Sequence, residues 1–162
     1  MLVRTVAPAA PVVALPDLKL HLRVDGTSDD TLIMAYEAAA VSHLDGWRGV
    51  LGRCILSQQW TETYAQAGTF RLPFPDVSEV VADSGTATLA HDCLGSVVTI
   101  TAPCTVTMTA AMPRDAREAV CMAIKLLVGH WYEHREAVAE ANLSSVPLAF
   151  DALIAPLRWA RI

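Results

Sequence analysis

Pro113-Arg114-Asp115-Ala116-Arg117-Glu118-Ala119-Val120-Cys121-Met122-Ala123-Ile124-Lys125-Leu126-Leu127-Val128-Gly129-His130-Trp131-Tyr132-Glu133-His134-Arg135-Glu136 carries two incompatible messages. Its end reads H-x-x-E-H, the order of zinc ligands and base in one class of metallopeptidases. Its body predicts a helix buried on nearly all sides, which is an architectural element. The choice between them separates an enzyme from a structural part. His130 and His134 are four residues apart and share a helical face, with Glu133 beside them. A zinc site also needs a third protein ligand. Only 28 residues follow His134, and their acids are Glu136, Glu140 and Asp151. Trp131-Tyr132 and Leu126-Leu127-Val128 crowd the histidines and predict packing instead of an open cleft. Glu133, His134, Arg135 and Glu136 therefore read as a solvated helix end. A small zinc-dependent hydrolase stays as the alternative.

Outward from this helix, composition narrows the class. The chain has 162 residues, enough for one domain with a sizeable core. Apolar residues reach 53% and charged residues only 18%, so a contact with another subunit or partner is expected to absorb the excess. A net charge of −5, with 12 Lys and Arg spread along the chain, argues against a protein that wraps nucleic acid. No apolar run approaches the roughly 20 residues of a membrane span. Pro8, Pro11 and Pro16 interrupt the start, which reads as an extended arm and not a signal peptide. Cys54, Cys93, Cys104 and Cys121 lie far apart without a C-x-x-C, which predicts free thiols in a reducing, intracellular setting.

A short first helix is expected from Pro16 and Asp17, with Leu18, His21 and Leu22 on one face and a turn at Asp25-Gly26. A second begins at Thr27-Ser28-Asp29-Asp30, with Thr27 as cap. Leu32, Ile33, Tyr36, Ala40, His43, Leu44 and Trp47 give its amphipathic face, expected to pack on the long helix. Between Cys54 and Met112 the pattern becomes β. Ile55–Tyr64, Thr69–Leu72, Val77–Ala82, Thr86–Leu89, Val97–Thr101 and Thr105–Thr109 read as short strands. Pro73-Phe74-Pro75, Asp83-Ser84-Gly85, His91-Asp92 and Ala102-Pro103 separate them, so His91-Asp92-Cys93 reads as a turn and not a nucleophile pair. Near the C-terminus, Phe150, Leu153, Ile154 and Leu157 mark a helical stripe before Arg158 and Trp159. That segment either folds back on the core or docks on a partner. Trp47 and Trp131 read as core, and Trp159 as an interface candidate.

The fold expected from these signals is α+β and mainly α. An antiparallel helix bundle carries a small antiparallel β-sheet inserted between the second and the long third helix, followed by a C-terminal helix. One domain, 1–162, then divides into an N-terminal arm (1–14), helices (15–53), a β insertion (54–112), the long helix (113–141) and a partner-docking segment (142–162).

Several blocks together resemble a known family. Leu15-Pro16-Asp17-Leu18-Lys19-Leu20-His21-Leu22-Arg23-Val24-Asp25 with Asp29-Asp30-Thr31-Leu32-Ile33 looks like the opening of head–tail connector (adaptor) proteins of long-tailed phages and gene transfer agents. Gly52-Arg53-Cys54-Ile55-Leu56-Ser57-Gln58-Gln59-Trp60 is similar to the family's G-R-x-L-x-x-Q-x-W junction, and Leu72-Pro73-Phe74-Pro75-Asp76-Val77 to its L-P-x-x-P-V strand. The long helix and Val146-Pro147 through Pro156-Leu157-Arg158 match in order. One departure is Met108-Thr109-Ala110-Ala111-Met112, which has no glycine where relatives carry an aromatic-Ala-Gly turn.

The resemblance implies a structural part of a virion, located at the head–tail interface and assembled in the bacterial host cytoplasm, without enzymatic activity or cofactor. Copies would form a homo-oligomeric ring, expected to be dodecameric, beneath the portal protein ring. The ring would join the capsid to a stopper or tail-completion protein. DNA would pass through its channel without sequence-specific binding, and acids, not arginines, are expected to line that channel. Phe150, Leu153, Ile154, Leu157, Arg158 and Trp159 are the expected portal contacts. A DNA-binding regulator is a further rival, but it would need a basic helix face.

Overall fold

Strand pairing begins three residues into the chain. The fold is taken from a computed structural model, which describes residues 1–134 and 148–159. Val3–Val6 forms β1; α1 (Leu15–Leu22) and α2 (Asp30–Leu44) follow. Then come β2 (Gln58–Tyr64), β3 (Gly68–Arg71), β4 (Val77–Ala82), β5 (Ala87–Asp92), β6 (Gly95–Ile100) and β7 (Cys104–Ala110). The long helix α3 (Arg114–Glu133) leads towards α4 (Leu148–Ile154) and a 3-10 turn at Ala155–Leu157. Among the described residues no helix is long and apolar enough to cross a membrane.

The expectation of a mainly helical bundle with one small sheet is overturned. Among the described residues four helices and seven strands, 36% helix against 28% strand, give nearly balanced classes, and the strands form two antiparallel sheets. One sheet is ordered β1-β2-β7-β4 and the other β3-β6-β5. The cause is additive. Each strand is short, but alternating burial gives β6 and β7 an inward face, and side chains from both sheets meet in one core. Val106, Met108 and Ala110 from β7, Val77 from β4, and Val98 and Ile100 from β6 share one core with Leu72 and Phe74. Phe74, expected in a spacer between strands, is 1% exposed and belongs to that core. Several outward residues are threonines, and the Thr63–Thr105 and Thr69–Thr99 pairs hydrogen-bond across strands at 3.1 and 3.0 Å.

A second core lies among the helices: Leu18, Ile33, Leu44, Val120, Ile124 and Val128, completed by Leu51, Ile55 and Met112 from connecting segments. The helices alone do not close it. α3 is not buried on nearly all sides. Its covered stripe is Val120, Ala123, Ile124, Leu127 and Val128, while Glu118 is exposed and Met122 is 46% exposed. As expected, α2 packs on α3. Thr27 does not cap α2, however. Asp29 stands at the N-cap position without a side-chain cap bond, and its carboxylate accepts the Tyr132 hydroxyl of α3 instead. Lys19 binds Asp30 at 2.7 Å and ties α1 to α2. The glycine-free joint before α3 is held by Met112, 1% exposed, whose N–H donates to the Cys54 carbonyl.

Candidate partner-contact site

The segment from Asp45 to Trp60 joins both cores and positions the surfaces around it. Asp45 ends α2 with its side chain only 6% exposed. It accepts the Ile55 N–H at 2.7 Å and the Gln58 amide at 3.0 and 2.9 Å. Gln58, itself buried, accepts the Trp60 indole N–H at 3.2 Å. The Trp60 ring leans on Phe74, with centroids 5.2 Å apart, and crosses over Gly46. A Cβ at Gly46 would lie 3.3 Å from that ring, and its φ of +77° favours glycine independently. From the N-terminal arm, the Arg4 guanidinium sits 3.8 Å from Asp45 and 5.9 Å from the Trp60 ring centre. Arg53 grips Asp76 through two hydrogen bonds of 2.7 and 2.8 Å and reaches the Leu157 carbonyl at 3.4 Å. Arg53, Gln58 and Trp60 are the residues through which this junction resembles the connector pattern. Their partners Asp45, Asp76 and Leu157 lie 13, 23 and 104 residues away in sequence, too far for spacing to reveal.

The six expected portal contacts occupy different environments. Phe150 and Ile154 are 3% and 0% exposed and belong to the helical core. Leu153 and Leu157 are half-buried against the same core. Arg158 is exposed, with its guanidinium 3.4 Å from Asp151. Trp159 is half-buried, and its N–H donates to the Leu51 carbonyl at 2.8 Å. Its ring covers Gly95, where a Cβ would sit 2.9 Å from the indole and φ is +99°. Beside it lies a cleft of about 170 Å³ walled by Trp47, Glu62, Arg71, Leu72 and Leu94. The rest of the docking segment, 142–147 and 160–162, lies outside the described residues.

The H-x-x-E-H end offers little to a metal. The His130 and His134 rings stack with centroids 4.7 Å apart, and His134 Nδ1 lies 3.0 Å from the His130 carbonyl. Glu133 is exposed. Among the described residues no third His, Cys, Asp or Glu joins them. Arg135, Glu136 and Glu140 lie outside the described residues.

His91 and Asp92 close strand β5, and Cys93-Leu94 makes the turn, two residues later than the sequence suggests. His91 Nε2 lies 2.8 Å from the Val77 carbonyl. Asp92 takes two hydrogen bonds from Arg71, which hold its carboxyl below the usual range. Cys93 is exposed, whereas burial, reinforced by the Asp45 carboxylate, pushes the Cys54 thiol far up. Burial also raises Cys121. Thiolate is the reactive form, so a raised value removes reactivity at a given pH. A disulfide reagent at pH 8 is expected to label Cys93 first and leave Cys54 untouched in the folded chain. Fast labelling of Cys54 would contradict this placement.

No family model and no curated protein matches the sequence. Solved structures do match along the whole chain. A chain in the neck of an empty GTA particle, computed with C6 symmetry, is 18% identical with a TM-score of 0.73, over 100% of this chain and 97% of that one. A chain in the virion of the native gene transfer agent (GTA) particle is 20% identical with a TM-score of 0.66, over 100% and 97%. A chain in the neck of the native GTA particle, computed with C12 symmetry, is 20% identical with a TM-score of 0.60, over 99% and 97%. This protein therefore has the fold of chains that are components of GTA necks and virions.

Proposed function

We propose that this protein is a head–tail connector that forms a ring beneath a portal, extends the DNA channel and presents a platform for a stopper or tail-completion protein. The observation that carries the reading is the end-to-end likeness to a GTA neck chain, with a TM-score of 0.73 and essentially complete cover of both chains. The symmetric necks in which these neighbours sit support a ring, and the connector-like blocks of the sequence support the family. The work is mechanical. Two cores joined by the Asp45–Gln58–Trp60 and Arg53–Asp76 contacts suit a body that has to keep its form in a ring under DNA pressure. A channel faced by acids and hydroxyls would not grip a polyanion that has to slide.

In this reading the segment around α4 meets the portal. Phe150 and Ile154 anchor it to the body, while Leu153, Leu157, Arg158 and Trp159 face outward in part and make the contact. Arg158→Glu is expected to weaken portal binding roughly tenfold through like-charge cost while leaving the fold intact. Unchanged affinity would remove Arg158 from the contact. The role itself is tested by electron microscopy of particles made without this chain. DNA-filled heads lacking tails are expected, and normal tailed particles would refute the reading.

A further inference from the structure

We infer that neighbouring copies join by laying the outward stripe of α3 into an arginine-rimmed groove beside the N-terminal arm. The inference rests on the ring reading and names its subunit contact. The groove has a volume of about 820 Å³ and runs between the arm and α2. Its walls are largely apolar, with Val3, Pro11, Val41 and Trp47 among them; Arg4 in its lining already lies 3.8 Å from Asp45, and the exposed Arg48 stands on its rim. Its two acids are already engaged. Glu37, 3% exposed, accepts the Val12 N–H at 2.8 Å, and Asp45 is held by Ile55 and Gln58. Arg48 is exposed, and among the described residues no carboxylate pairs with it. Among the described residues strand β1 pairs only with β2, which leaves its other edge unpaired there, and Val3 is 42% exposed. Exposed edges of this kind are normally covered or blunted by charge.

The same chain offers the complement. Asp115, Glu118 and Met122 follow one another at helical spacing on α3; both acids are exposed, and Met122 is 46% exposed. Asp115 alone is explained by the helix dipole. Glu118 and Met122 are not, and among the described residues no cation pairs with either acid. Glu118, one turn before the flexible apolar Met122, answers the exposed Arg48 beside an apolar groove. The arm separates the two surfaces. Glu37 holds it to α2, and on the other side the Cys121 sulfur of α3 lies 3.9 Å from the Val12 carbonyl. A groove on one copy that takes a different element of the next is a heterologous contact, the kind that repeats into a closed ring. The contact also buries cations between subunits and keeps them away from a channel.

The test is charge reversal and its repair, read on a portal ring encoded in the same genome. The full-length chain, Arg48→Glu, Glu118→Arg and the double variant are added to the portal. Closed-ring decoration is counted by electron microscopy, after circular dichroism has confirmed folding. Each single reversal is expected to reduce ring closure at least about tenfold, and the double reversal to restore much of it. Rings that close normally with either single reversal overturn this interface and leave the connector reading standing. So do reversals that impair only stopper binding, which would assign the groove to that partner. Failure of the unaltered chain to decorate the portal overturns both.

Discussion

Ile154→Ala is expected to lower the unfolding free energy by about 3 kcal/mol, with Phe150→Ala costing a similar amount. Ile154 is wholly buried and Phe150 nearly so, in the core they share with Leu18, Ile33, Val120 and Ile124. Truncating either leaves a cavity that α3 and α4 cannot fill without shifting. Urea unfolding measures the change, and a loss below about 1 kcal/mol would contradict the placement of α4 in the core. The consequence for partner studies is direct. Removing the C-terminal segment would open the helical core, so loss of portal binding after truncation would report a damaged body as readily as a lost contact. Arg158→Glu avoids the ambiguity because Arg158 is exposed and its substitution is expected to move stability by no more than about 0.5 kcal/mol.

Asp45→Ala is expected to cost about 3 kcal/mol as well, by a different route. The Asp45 carboxylate is the acceptor for the Ile55 N–H and for both contacts of the Gln58 amide. Removing it leaves donors without acceptors in a place where the Asp45 and Gln58 side chains are nearly inaccessible to water. Arg4 loses its carboxylate too, so the arm should loosen from β2. Asp45→Asn retains one acceptor oxygen and should cost clearly less. Hydrogen exchange at Ile55 and Val3 gives the local readout, with faster exchange expected in Asp45→Ala. A variant that unfolds at the wild-type urea midpoint would remove this network from the account of how the two cores are joined.

Much of the β region was legible because its signals are local. Val77–Ala82 is β4 as read, and Thr105–Thr109 and Val97–Thr101 fall within a residue or two of β7 and β6. Alternation of Val and Thr identifies a half-covered strand but not the sheet that strand joins. The division into two facing sheets depends on pairings such as Thr61 with Thr107 and Phe70 with Val98, which no window contains. β1 was hidden among prolines and read as an arm, and it becomes a strand only through Arg4 opposite Trp60. Its recruitment, together with the split into two sheets, moved the fold away from a helix bundle. In the candidate site, the amphipathic stripe of Phe150, Leu153, Ile154 and Leu157 was visible, but a stripe looks the same whether it meets its own core or a partner. The structure gives Phe150 and Ile154 to the core and leaves Arg158 exposed. The Arg48 groove and the Glu118–Met122 stripe were not legible, because each combines residues from separate elements or depends on what the fold leaves bare.

The central claim is that this chain is a ring-forming connector, and its most direct test is a cryo-electron microscopy reconstruction of the full-length protein mixed with the portal ring encoded in the same genome. The account predicts a closed ring of copies stacked under the portal and coaxial with it, with α4 and Arg158 turned towards the portal. A portal that stays bare at saturating concentrations of folded protein would contradict it.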